Sequence, residues 1–145
     1  MDMSKKEYGQ MVKKASPNSR LLTNCAKAFV VGGLICTFGQ VLYAIFAAMG
    51  ANRDMAGMLV AISLIFLAAL VTGIGKYDEV VKFGGAGASV PITGFANAVA
   101  APAIEFKKEG YIMGVGAKMF LIAGPVIVYG TLASMVVGFV YYFAR

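Results

Sequence analysis

Three long apolar runs, separated by short polar clusters, dominate the chain. Ala28 to Met49, Met55 to Gly75 and Met119 to Ala144 carry no charge. Each is long enough for a helix to cross a bilayer, for which about 20 residues suffice. A fourth uncharged stretch, Phe83 to Ile104, reads FGGAGASVPITGFANAVAAPAI, and its glycines and prolines oppose a continuous helix. The pattern predicts an all-α integral membrane protein forming a single membrane domain over 1–145. It has three full transmembrane helices, 28–49, 55–75 and 119–144, and a Gly/Pro-broken re-entrant half-helix over 83–106. Four full spans are the alternative.

Finer periodicity assigns faces to these elements. Gly50 to Asp54 joins the first two spans so tightly that they must be antiparallel neighbours. In the first span Gly32, Cys36, Gln40, Tyr43 and Ala47 recur at helical steps and share one face. An amide at the depth of Gln40 needs a hydrogen-bond partner, so that face points at protein or a lumen, as helix packing or as pore lining. The third span is longer than the hydrocarbon core requires, so it tilts, kinks or projects. Gly124 and Pro125 supply a kink, because Pro125 has no N–H for the Leu121 carbonyl. Gly130, Ser134 and Gly138 form a small-residue ridge that another helix can approach closely, and Tyr141 and Tyr142 suit a membrane interface.

Within the broken stretch, Gly84, Gly85 and Gly87 weaken any helix, and Pro91 turns Val90 away from the helical region. An extended or irregular backbone is therefore expected over 84–91. Beyond Pro91, the positions Ile92, Phe95, Val99, Pro102 and Phe106 mark a short helix with one bulky stripe and one small-residue face. Ser89 or Thr93 can cap its start, and Lys107 and Lys108 complement its end. Irregular backbone at membrane depth persists only where protein or water satisfies it. Amides at such a turn can favour an anion, or the glycines can be a connector and the alanine face a packing surface.

Composition agrees with a chain dissolved mostly in lipid: 59% of its 145 residues are hydrophobic and 14% are charged, and the mean hydropathy is +0.76. Charge then orients it, because lysine and arginine accumulate on the cytoplasmic side. If 83–104 does not cross, Lys5, Lys6, Lys13, Lys14, Arg20, Lys27, Lys76, Lys82, Lys107, Lys108 and Lys118 lie inside, against Arg53 and Arg145 outside, eleven against two. A fourth crossing lowers this to nine against four. The count favours three spans, the amino end inside and the carboxyl end outside. The basic segment 1–27, expected to hold a short surface helix before Pro17, can rest on anionic lipids. It lacks the aromatic interleaving and motifs of a nucleic-acid binder.

Absent residues narrow the function classes. The chain has no histidine, and its seven acidic residues all fall in the tail or connecting segments. Proton relays and ion-coupled sites are marked by ionisable groups within spans. Cys25 and Cys36, on one helix, lie about 16 Å apart and cannot pair. No metal, cofactor or catalytic constellation is expected, so the chain is not predicted to be an enzyme. A passive conduit or a packing subunit remains.

The segments KAFVVGGLICTFGQ at 27–40, TGIGKYDEVVKFGGAGASVPITGFANAVAAPAIEFKKEG at 72–110 and GVGAKMF at 114–120 resemble the sporulation membrane proteins AC and AEB of endospore-forming bacteria. The basic extension and FAN at 95–97 resemble the AC branch more closely. The resemblance implies an inner-membrane complex of the forespore and spore. That complex moves dipicolinic acid, usually with calcium, into the spore and releases it at germination, and related proteins are described as mechanosensitive channels. An AEB-type membrane subunit and an AD-type dipicolinate-binding protein are the implied partners, in an oligomer. On this reading Gly84, Gly85, Gly87, Ser89, Thr93 and Asn97, with Gln40, line the anion route. Pro91, Pro102, Gly124 and Pro125 act as hinges, and Gly32, Cys36, Gly130, Ser134 and Gly138 pack helices. A non-conducting scaffold subunit of the same complex is the alternative.

Overall fold

A computed structural model describes residues 8, 9, 11, 12 and 19–144. Tyr8, Gly9, Met11 and Val12 are helical and exposed. The remainder of the expected amino-terminal surface helix, including Lys5, Lys6, Lys13 and Lys14, lies outside the described residues, as does Arg145.

The first hairpin follows from local chemistry. Helix α1, Leu21–Ala48, and helix α2, Arg53–Gly73, are joined by a turn in which Gly50 has φ +92°. Only glycine adopts that conformation without steric cost. Asn52 Oδ1 then accepts the Met55 N–H at 2.9 Å, capping α2, and Asp54 lies in its first turn, where the helix dipole favours negative charge. Gly39 is buried where α1 meets α2, beside Leu64. Past the end of helix α2 the chain turns at Gly75, φ +78°, with Gly75 N–H donating to the Thr72 carbonyl and Lys76 N–H to that of Val71.

The second half is more broken. Helix α3, Tyr77–Gly84, is followed by one turn, α4, Ala86–Ser89, and by helix α5, Ile92–Glu105. A 3₁₀ turn, Phe106–Glu109, and a π-helical turn, Tyr111–Gly116, lead into helix α6, Ala117–Ala144. Among the described residues the protein is all α. Three helical stretches, Leu21–Ala48, Arg53–Gly73 and Tyr111–Ala144, are long and apolar enough to cross a membrane. At 14 residues, α5 measures about 21 Å, short of a hydrocarbon core of about 30 Å.

Two expectations about the broken stretch are corrected. Residues 84–91 are mostly helical, not extended: the chain leaves the helical region at Gly85, φ +52° and ψ −125°, while Val90, before the proline, keeps φ −80° and ψ −39°. The preference of a pre-proline residue for extended backbone is modest, and the Val90 N–H is held by the Ala86 carbonyl at 2.9 Å. Nor does a side chain cap α5: Pro91 is its N-cap, and Ser89 Oγ donates back to the Gly85 carbonyl. A proline needs no partner for an N–H it lacks, so it starts a helix without that cost. Pro102 and Pro125 lie inside α5 and α6 without ending either helix.

Packing is by small residues. The buried apolar set is Ala56, Leu64, Ala68, Tyr77, Ala88, Ala96 and Ala123, so helix backbones come close with few large side chains between them, the usual economy of helices in lipid. Helix α5 lies chiefly against α2, and α1 holds α2, α3 and α4, whereas α6 meets the rest mainly through α5 and the π turn. Beyond Gly124, α6 is exposed on all sides.

Candidate functional site

The broken stretch is seated on α1 and α2 by contacts that depend on particular residues. Gly87 lies directly on the α1 backbone, where a Cβ would overlap the Ala28 carbonyl oxygen, and Gly32 faces Gly87 across the same contact. A Cβ on Gly84 would come within 2.8 Å of Val31. Gly84, Gly87 and Gly32 are thus brought together as the seam between the glycine turn and α1. Gly85 supplies the left-handed turn between α3 and α4 and meets no neighbour.

Polar groups line the inner side of that seam. Tyr77, buried beside Ala68 and Ala96, donates its hydroxyl to the Ala88 carbonyl at 2.9 Å, which ties α3 to α4. Thr72 Oγ1 stands 2.7 Å from the Ala68 carbonyl and 2.9 Å from Asn97 Oδ1. With one proton, that hydroxyl donates to one acceptor at a time, and the Asn97 partner bridges α2 and α5. Thr93 is 7% exposed, and its hydroxyl has no hydrogen-bond partner. It borders an apolar cleft of about 310 Å³ with Leu34, Phe38, Leu64, Ala68 and Val71. A buried hydroxyl without a partner costs about 1–3 kcal/mol.

Gln40 does not join this group. It lies nearer the α1–α2 turn, in an open recess of about 660 Å³ with Tyr43, Arg53, Asp54 and Gly57. Cys36 is exposed on the same helix, and Cys25 and Cys36 are free thiols. On α6, a Cβ at Gly130 or Gly138 would meet nothing within 4 Å, and Ser134 Oγ donates to the Gly130 carbonyl. Among the described residues the ridge faces no other helix. Among the described residues no group of three or more His, Cys, Asp or Glu side chains could hold a metal ion.

Sequence reasoning missed the roles of Tyr77, Thr72 and Val31. Tyr77 had a usable signal, an aromatic residue heading the amphipathic segment YDEVVKFG. Asp78, Glu79 and Lys82 of that helix are exposed, while Tyr77 and Gly84 are buried. Lys82 pairs with Asp78 at 2.6 Å and Lys76 with Glu79 at 3.2 Å. Donating to the Asp78 carboxylate raises the Lys82 pKa above the ordinary lysine value.

Fold and site define an integral membrane protein of apolar helices with a glycine- and proline-broken element packed among them. The chain belongs to the SpoVAC/SpoVAEB sporulation membrane protein family, which it matches over residues 24–140. Stage V sporulation protein AC of Bacillus subtilis (strain 168) is 45% identical over 137 residues, covering 94% of this chain and 91% of the relative. No solved structure matches the chain significantly.

Proposed function

We propose that the chain is a channel subunit of a spore inner-membrane complex that moves dipicolinic acid, with calcium, into the forespore and out at germination. The break α3–α5 lines or gates the route through Gly84, Gly85, Gly87, Ser89, Thr93 and Asn97, with Gln40 as a polar neighbour on the α1–α2 hairpin. Pro91, Pro102, Gly124 and Pro125 allow the elements to move, and membrane tension is the proposed trigger. An AEB-type membrane subunit and an AD-type dipicolinate-binding protein complete the assembly. Three spans are proposed, with α3–α5 entering and leaving on the cytoplasmic side.

The observation that carries this reading is the unpartnered Thr93 hydroxyl, buried at the break beside an apolar cleft. A side chain kept only for packing would be served better by valine, which has the same shape and no group to satisfy. Thr93→Val is therefore the decisive variant. It is expected to melt no lower than the wild type in detergent, yet to lower dipicolinate accumulation in spores at normal protein level. Full accumulation would sink the lining role.

A scaffold subunit that braces a conduit formed by a partner is the second reading. It is favoured by the backbone-close seating of Gly84 and Gly87 against α1, which serves packing directly. Purified protein in liposomes separates the two: dipicolinate flux without partners supports the channel, and silence the scaffold.

A further inference from the structure

A second recess, of about 380 Å³, opens where the first turns of α1 meet α3 and α4. Asn24, Lys27 and Ala28 line it from α1, and Lys82, Phe83, Gly85 and Ala86 from the other side. Lys27 Nζ sits 5.0 Å from the centroid of the Phe83 ring, a cation–π distance. Among the described residues Lys27 pairs with no carboxylate, whereas Lys82 is held by Asp78. With Glu79 paired to Lys76, the ammonium groups of Lys27 and Lys82 against the one carboxylate of Asp78 leave the recess with one net positive charge.

We propose that this recess holds the phosphodiester headgroup of one monoanionic phospholipid, bound at the edge of the bilayer. Its place argues for lipid: the uncharged run of α1 begins at Ala28, so Lys27 stands where headgroups meet hydrocarbon. Basic pockets between helices on the cytoplasmic side are suited to anionic headgroups. Its rim argues likewise, because Phe83 is 57% exposed and offers an apolar surface to acyl chains that a hydrated anion would not use. Charge favours a phosphodiester, whose single negative charge balances the site, over a dicarboxylate, which carries two. Gly85 adds room, having open space where a side chain would stand. A bound lipid would join α1 to the glycine turn and so report bilayer composition to the broken element. This holds whether or not the chain conducts.

Native mass spectrometry of the full chain in detergent, with phosphatidylglycerol or phosphatidylcholine added, provides the test. One phosphatidylglycerol should be retained in preference to phosphatidylcholine. At about 1 kcal/mol per lysine near the surface, Lys27→Gln with Lys82→Gln should weaken its retention about thirtyfold. Lys27→Arg with Lys82→Arg should keep the lipid, as should Lys107→Gln with Lys108→Gln. If the double glutamine variant does not fold, Lys27→Gln alone serves, with a loss of about fivefold. Equal retention of the two lipids, indifference to the glutamine substitutions, or displacement by inorganic phosphate or dipicolinate would each overturn the proposal.

Discussion

At the scale of single residues, the glycines divide into kinds that look alike in sequence. Gly87 and Gly94 are held by close approach: a side chain at the first overlaps the Ala28 carbonyl and at the second the Ser89 carbonyl. Gly33 and Gly130 meet nothing within 4 Å. Gly87→Ala should therefore lower stability in detergent by about 1–3 kcal/mol, the cost of forcing extra volume into a close contact. Gly33→Ala should be neutral or slightly stabilising, because alanine is the better helix former. A thermal melt of the two variants beside the wild type checks the contrast. Sequence predicted that the glycines at 84, 85 and 87 break a helix, and of the three only Gly85 leaves the helical region. Sequence did not show which one touches another helix, since that depends on where α1 lies.

At the scale of elements, the bond between Thr72 and Asn97 joins α5 to α2. Hydrogen bonds between helices in membranes are worth about 0.6 kcal/mol on average and reach about 1.7. A double-mutant cycle of Thr72→Val and Asn97→Leu should return a coupling in that range. A coupling of zero would mean that apolar packing alone holds the two helices. The short helix after Pro91 was legible from its spacing, as were the three helices long and apolar enough to span a membrane. The helical character of 84–91 was not, because glycine content and the pre-proline preference are weak local terms. Tertiary contacts at Val31, Ala28 and Tyr77 outweigh them.

At the scale of the whole molecule, α6 stands apart, with the Gly130, Ser134 and Gly138 ridge unopposed among the described residues. If that ridge is an interface in an oligomer, Ser134→Cys should crosslink to a second copy or to a membrane partner in native membranes. Val136→Cys, outside the ridge, should not. Topology is tested by cysteines introduced at Val90, which is 79% exposed whereas Ala88 is fully buried, and at Ala101. In the three-span arrangement both react only from the cytoplasmic side, whereas labelling of Ala101→Cys from the outer side would establish a fourth crossing.

Apolar run length and charge distribution settled the class of the protein by themselves. Hydrocarbon thickness sets how many apolar residues a span needs, and that requirement is read along the chain without knowing any neighbour. Local backbone chemistry likewise placed a break within 84–91, although the structure narrows it to Gly85 and to Pro91 at the start of α5. Only the tertiary structure decided what the broken element does with its residues. It brought Gly87 onto α1, Asn97 to Thr72 and Tyr77 to Ala88, left the Thr93 hydroxyl without a partner, and set Lys27 opposite Lys82. These are relations between helices distant in sequence, and they arise from close packing of small side chains, which hydropathy and periodicity do not encode.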